Sequence, residues 1–426
     1  MTRRLLTPLL LLPASLLAQQ QPMHLTLADA QRLAVQNNPQ YSSAKYTAAA
    51  AHQQPAQYRA AELPNLAGLL TGVGADNGTR LAAGAINNPV VYSRAAGGIL
   101  ASQLITDFGR THNLVGMSNL QAQAQDQASD NTRADVLLGA TRAYFDVLRA
   151  QAVLKVAQQT VAARQLVFDR ISALAQSQLR TELDVSFANV NLSDAKLLQL
   201  QAENGINSAE AELAAALGLP NQTTFDVADE PMPAALPAQA DPLIAQAMQN
   251  RPDLKDLQLL QSAAERFTRA EHDLYYPTVS GLVAAGGVPV GVSQVPGHYA
   301  AAGINVNIPV FNGGLFKARE SEASLKAKAA AQNVADLANR ITRDVRVAWL
   351  NANTAFQRVS LTQQFVAQAQ LALDLAQSRY QLGLSSIVEL SQAQLNLTSA
   401  QIESASARYD YQAQRSVVDY QIGVLR

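Results

Sequence analysis

Val136–Val161 reads VLLGATRAYFDVLRAQAVLKVAQQTV, and its spacing sets the class of the fold. Val136, Ala140, Ala143, Val147, Ala150, Leu154, Ala157 and Val161 recur at alternating steps of four and three. A sustained mean step of about 3.5 residues keeps one narrow apolar stripe turned toward a partner helix, the seam of a coiled coil rather than a helix laid on a sheet. The pattern returns as Ile341, Val345, Ala348, Ala352, Ala355, Val359, Thr362, Val366, Ala369, Leu373, Ala376 and Tyr380. Alanine dominates both seams, which permits close helix approach but buries less area per residue than leucine. One continuous helix from Arg110 to Gln178 would be about 100 Å long at 1.5 Å per residue, a length that bridges a space rather than enclosing a pocket.

The recurrence is part of a duplication. Ala143-Tyr144 corresponds to Ala348-Trp349 at an offset of 205, which also maps Asp107-Phe108-Gly109 onto Asn312-Gly313-Gly314 and Asp184 onto Glu389. Asn191-Leu192 maps onto Asn396-Leu397, and Leu217-Gly218 onto Ile422-Gly423, with no gap between about 104 and 218. Upstream the offset is 213: Gln36-Asn37-Asn38-Pro39 matches Gln249-Asn250-Arg251-Pro252, and Pro64 matches Pro277. The change of eight residues falls between Pro64 and Asp107. Length varies most in exposed loops, so a loop is expected there. The chain divides into a first repeat at 19–220, a linker at 221–240 marked by Pro231, Pro233 and Pro237, and a second repeat at 241–423.

Each repeat carries a helical hairpin, 110–218 and 314–422, broken at Gln178-Leu179-Arg180-Thr181 and at Leu382-Gly383-Leu384-Ser385-Ser386. Short breaks between long helices imply antiparallel partners. The first returning seam runs through Ala188, Leu192, Ala195, Gln199, Ala202, Ile206, Ala209, Leu213 and Ala216, and Gly218 and Gly423 stand where helices end. Upstream of each hairpin the period changes to two. In 300–310, Ala302, Ile304, Val306, Ile308 and Val310 alternate with Ala301, Gly303, Asn305 and Asn307. About ten residues of such alternation is the signature of a transmembrane β-strand; a soluble edge strand shares it. Weaker candidates lie at about 65–74, 95–106 and 278–288, with loops at 75–94 and 289–298. Four strands per chain are too few for a membrane barrel, which needs at least about eight, and an open sheet leaves its edges unsatisfied in lipid. If the strands span a membrane, several chains share one barrel.

The bulk composition excludes much else. Net charge is −1, from 32 basic and 33 acidic residues, so no nucleic-acid surface is indicated. Apolar residues make up 48% and aromatics only 5%, which suits closely packed helices. Cysteine is absent, which removes disulfides, thiolate metal sites and a lipidated N-terminal cysteine. Arg3 and Arg4, the apolar run Leu5–Leu17 and the site at Leu16-Leu17-Ala18 read as a signal peptide at 1–18.

Several marks together resemble the TolC-type outer-membrane efflux protein (outer membrane factor) family. They are Leu27-Ala28-Asp29-Ala30 leading to Asn38-Pro39, the restart Asn250-Arg251-Pro252-Asp253-Leu254, Leu274-Tyr275-Tyr276-Pro277, Ile308-Pro309-Val310-Phe311-Asn312-Gly313-Gly314, and Tyr380-Gln381-Leu382-Gly383. Their duplicated order covers nearly the whole chain beyond residue 18. The resemblance implies a mainly α fold with a transmembrane β part: long coiled-coil hairpins forming an α-barrel, continuous with a 12-stranded β-barrel shared by a homotrimer, four strands per protomer. It further implies a passive export duct of a tripartite efflux or type I secretion system, set in outer-membrane lipid and crossing the periplasm. Its tip would meet a periplasmic adaptor (membrane fusion protein) and an inner-membrane pump.

In that family an inner hairpin is held closed by a tyrosine, an arginine and acidic residues. Here Tyr380 matches the tyrosine, Glu389 the first acid and Asp184 the acid of the neighbouring hairpin; the arginine position is Ser385 and the second acid is Gln392. The usual salt bridge is therefore missing, and Arg180 is the substitute donor considered. The plain alternatives are that Tyr380 only continues the seam and that Asp184 and Glu389 only favour helix starts. Leu382, Gly383, Leu384 and Ser385 resemble the adaptor-contacting tip; an ordinary turn with glycine supplying its backbone freedom is the alternative. The first tip lacks that glycine.

No catalytic, cofactor or metal site is read. The five histidines are scattered, without metal-ligand spacing. Asp107-Phe108-Gly109 has no kinase loops beside it, Gly72-Val73-Gly74 has no following Rossmann helix, and no Walker-type loop occurs. Two rival readings are a periplasmic coiled-coil adaptor, which should lack strand pairs repeated at a matching offset, and a fibrous structural protein, which would not need the 300–310 alternation.

Overall fold

The structure, a computed structural model, describes residues 23–80, 89–221 and 224–425. The signal peptide at 1–18 and part of the 75–94 loop lie outside those residues. In chain order the elements are β1 (Met23–Leu25), α1 (Leu27–Asn37), α2 (Pro39–Ala51), α3 (Gln54–Arg59), β2 (Asn65–Val73), β3 (Arg94–Thr106), α4 (Arg110–Gln176), α5 (Glu182–Ala216) and β4 (Phe225–Val227). They continue as α6 (Asp241–Asn250), α7 (Pro252–His272), β5 (Thr278–Val290), β6 (His298–Asn307), α8 (Leu315–Gln381) and α9 (Ile387–Gln421). The bounds of α4 and α5, moved by 205, are those of α8 and α9. Every position of the Ile341–Tyr380 seam is buried or half-buried.

The chain folds as two compact units that cut across the duplication. Among the described residues, one comprises those up to Asn38, Val136–Leu236 and Asn351–Ser416; the other comprises those of Pro39–Asp135, Pro237–Leu350 and from Val417 on. In the first unit the hairpins are antiparallel. Near their turns Ile171, Ala188, Tyr380, Ile387 and Leu390 pack together, while farther along Ala369 meets Leu397 and Ala400. The helix end at Gly218 is a Schellman turn: Leu219 N donates to Ala214 O at 2.8 Å and Gly218 N to Ala215 O at 3.1 Å. Only glycine fits there twice over, because its φ is +68° and a β-carbon would come 2.8 Å from Asn37 O.

Within the expected linker, residues 224–240 form a strap rather than free chain. Its strand β4 pairs in parallel with β1. Beyond β4, prolines supply no N–H for a ladder, and helix side chains satisfy the strap's carbonyls instead. Tyr144 Oη donates to Ala228 O at 2.6 Å, Arg408 Nη2 and Gln412 Nε2 to Glu230 O at 3.0 and 2.9 Å, and Tyr411 Oη to Ala234 O at 2.9 Å. In the second unit Trp349, at the same 205 offset from Tyr144, donates Nε1 to Pro237 O at 2.9 Å.

The second unit contains a four-stranded antiparallel sheet in the order β2-β3-β5-β6. Register partners share a face, so the faces can be read from the pairing. One carries Leu66, Leu70, Ile99, Ala101, Val283, Ala302, Ile304 and Val306; the other, more polar, carries Asn65, Thr71, Ser102, Ser280, Asn305 and Asn307 together with Leu69, Leu100, Leu104 and Leu282. The aliphatic face is open, with Leu70 at 93% and Ile304 at 72% exposure. The last strand is shifted from its expected bounds: it begins at His298 and ends at Asn307. Pro309 explains the early end, since it has no N–H to continue the ladder, and Val310 stands outside the strand, 90% exposed. The third strand runs past 288 to Val290, which shortens the following loop.

Candidate functional site

The two hairpin turns of the first unit bring the candidate residues together. In the second turn Leu384 N donates to Arg379 O at 2.8 Å and Gly383 N to Tyr380 O at 3.1 Å. In the first, Leu179 N donates to Leu174 O and Gln178 N to Ala175 O, both at 2.9 Å. This Schellman pairing requires one left-handed residue. Gly383 supplies it at φ 72° and Gln178 at φ 60°, so the first tip makes the same turn without a glycine. Leu382 and Leu384 stand exposed at the second tip, as does Leu179 at the first. Ser385 keeps its Oγ buried with no hydrogen-bond partner.

Arg180 follows the first turn and reaches the second hairpin. Its Nη2 donates to Tyr380 O at 2.6 Å, and its guanidinium carbon lies 4.2 Å from the centre of the Tyr380 ring. The main-chain carbonyl and the ring face of one residue thus hold one cation, combining a charge-assisted hydrogen bond with a cation–π contact. Tyr380 is only 5% exposed. Burial raises its phenol above the ordinary value, the Asp184 carboxylate adds to the rise, and Arg180 opposes it. Tyr380 Oη makes no hydrogen bond of normal geometry, so Asp184 acts on it chiefly as a charge.

Asp184 has its own partners. Its Oδ2 accepts from Thr181 N at 3.1 Å and from Thr181 Oγ1 at 2.9 Å, while Thr181 Oγ1 accepts from Asp184 N at 3.2 Å. That is a capping box at the start of α5. Glu389, its counterpart, does not join the cluster. It pairs with Arg379 Nε at 3.4 Å on its own hairpin, and both side chains are exposed. Tyr380, Arg180 and Asp184 therefore converge, and Glu389 stands apart.

Three participants, Arg379, Asn191 and Ser391, escaped the sequence reading. The position of Arg379 in the last turn of α8, where a cation suits the helix terminus, was the available signal. Asn191 donates Nδ2 to Ser391 Oγ at 2.7 Å and ties one hairpin to the other; neither residue type singles itself out. Gln392, in the second-acid position, donates Nε2 to Asn396 Oδ1 at 3.0 Å along its own helix. A cavity of about 200 Å³ beside the cluster is lined by Val167, Ile171, Arg180, Tyr380, Leu390 and Gln394. Among the described residues no group of three or more His, Asp or Glu side chains is placed to hold a metal, and no helix is long and apolar enough to cross a membrane.

The family model described as outer membrane efflux protein matches residues 31–219 and 243–419. Outer membrane efflux protein BepC of Brucella suis biovar 1 is 26% identical over 317 residues, covering 74% of this chain and 68% of its own length. Outer membrane protein TolC of Escherichia coli strain K12 is 24% identical over 412 residues, covering 91% and 80%. A crystal structure of CusC superposes with a TM-score of 0.82 at 18% identity, over 93% of this chain and 92% of that one, and shares its fold.

Proposed function

This chain belongs to the outer membrane efflux protein family, and from that membership we propose that three copies close one twelve-stranded barrel and form a passive export duct. The chain is an outer-membrane efflux protein and not an enzyme. The sheet carries the proposal. It has one aliphatic face suited to lipid, and among the described residues β2 and β6 each pair on one side only. Lipid cannot satisfy those edges. The edge strands run in opposite directions, so β6 of one copy can continue antiparallel into β2 of the next.

In this reading the repeats at 19–220 and 241–423 each supply a strand pair and a hairpin, and the hairpins build the periplasmic part of the duct. The turns form its inner tip. Arg180 clasping Tyr380, with Asp184 alongside, holds the hairpins in the closed arrangement, replacing the arginine that Ser385 lacks. Leu382, Gly383, Leu384 and Ser385 face the periplasmic adaptor, which links the duct to an inner-membrane pump of an efflux or type I secretion system. Detergent extraction of outer membranes should give a trimer that dissociates on heating, and that trimer should form channels in planar bilayers. Recovery as a soluble periplasmic monomer would refute the reading.

A further inference from the structure

Tyr299 occupies the polar face of the sheet. It lies opposite Gly286 in the β5–β6 register, and Gly286 lies opposite Gly98 on β3. Its phenol does not stand off the sheet. A β-carbon on Gly286 would come 2.5 Å from Tyr299 Oη and 2.6 Å from its Cζ, and one on Gly98 would overlap the same hydroxyl. Adjacent strands are about 4.8 Å apart. A side chain of β6 that crosses β5 to end over β3 is lying along the wall, and the ring packs where the glycines have no side chains of their own. Tyr299 is the second residue of β6, whose other end leads to α8, so it sits at the end of that strand remote from the helix.

We propose that Gly98 and Gly286 hold Tyr299 flat against the inner wall of the barrel and that this sets the aperture near its outer end. The inference rests on the duct reading, which turns the polar face inward. The backbone of a twelve-stranded barrel lies on the order of 12 Å from its axis, and an upright tyrosine reaches about half that distance, so three upright rings would roughly halve the free diameter of the opening. Flat and upright rings therefore differ by up to about twofold in the diameter of solute admitted at the outer mouth, by the same geometry, whereas total conductance is set in series by the long tunnel and its inner tip. A β-carbon on Gly98 also comes 2.7 Å from Ala285 O, so Gly98→Ala strains the strand as well as displacing the ring; a second substitution separates the two effects.

Single-channel recordings in planar bilayers test the proposal, starting with the wild type. With neutral polymers of graded size added on the outer side, Gly98→Ala should lower, by up to about twofold, the largest polymer diameter that enters and reduces the current, and Gly98→Ala combined with Tyr299→Ala should restore it. Tyr299→Ala alone should change that cutoff diameter by less than about a fifth, because a flat ring takes up little of the opening. No change in Gly98→Ala, a loss that persists in the double variant, or a large gain in Tyr299→Ala alone overturns the proposal. A wild type that forms no channel refutes the duct reading and this inference together; a conducting wild type whose variants fail this pattern refutes the inference alone.

Discussion

Replacing Arg180 by alanine is the most direct trial of the tip latch. The side chain makes one hydrogen bond of 2.6 Å to Tyr380 O and one cation–π contact at 4.2 Å. A hydrogen bond from a charged donor contributes about 1.5–3 kcal/mol, and a cation over an aromatic face about 0.5–2 kcal/mol. Arg180 is only half-buried, so water screens both, and a total of about 1–2 kcal/mol per copy is the reasonable magnitude. At 1.36 kcal/mol per tenfold, that shifts the closed-to-open equilibrium of each hairpin pair by roughly 5- to 30-fold. Single-channel recording should show Arg180→Ala dwelling longer in its high-conductance state. Arg180→Lys should fall between it and the wild type, since lysine keeps the charge but loses the planar fork that fits both carbonyl and ring. Wild-type gating in Arg180→Ala would refute the latch, because the apolar cluster around Ile171 and Leu390 would then be holding the tip unaided.

Other outcomes follow from the same geometry. Asp184→Ala should cost about 1 kcal/mol through loss of the capping box, read as faster proteolysis of the first tip, and unchanged channel gating would show that the residue caps a helix and nothing more. The Tyr380 phenol is raised above its ordinary value of 10.0, so the packed tip favours its neutral form and loses stability as pH climbs through the window above that value; tip proteolysis should accelerate as pH rises above about 10 in the wild type and much less in Tyr380→Phe. Val283→Arg places a charge on the aliphatic face at a cost of about 2–4 kcal/mol near the bilayer midplane and should abolish outer-membrane assembly, whereas Ser280→Arg on the opposite face should assemble. Gln178→Gly relieves a left-handed glutamine and should stabilise the first tip by up to about 1 kcal/mol, detectable as slower cleavage there; faster cleavage would contradict the assignment.

The hairpins, the strand faces and the turn positions were legible in the sequence because each follows from a period. The step of 3.5 that runs from Ile341 to Tyr380 describes which residues are buried, and the alternation about Ile304 describes which face of β6 is aliphatic. Interactions that cross between distant segments carry no period. Nothing local marks Asn191 as the partner of Ser391, or Arg379 rather than Arg180 as the partner of Glu389. The strap's prolines mark a linker, but its anchoring depends on donors as far away as Arg408 and Tyr411.

The duplication itself proved a stronger guide to backbone than local composition. Among the described residues two non-glycines have positive φ, Phe108 and Gln178. A rule based on residue type assigns neither of them to the left-handed region. Yet the 205 offset sets Phe108 against Gly313 and Gln178 against Gly383, and both glycines have positive φ. In each pair the repeat imposes the turn, and the copy without glycine adopts it at a cost of about 1–2 kcal/mol. Identical turns then place different side chains. Arg180 points across to Tyr380, whereas Arg379 pairs within its own hairpin with Glu389. The two tips therefore share a backbone and differ in what they grip: one hairpin holds its neighbour and the other holds itself. In the proposed latch, weakening the Arg180 contact removes the cationic part of the grip and leaves the Asn191–Ser391 hydrogen bond and the apolar cluster around Ile171 and Leu390, while the ion pair of Arg379 and Glu389 stays within its own hairpin.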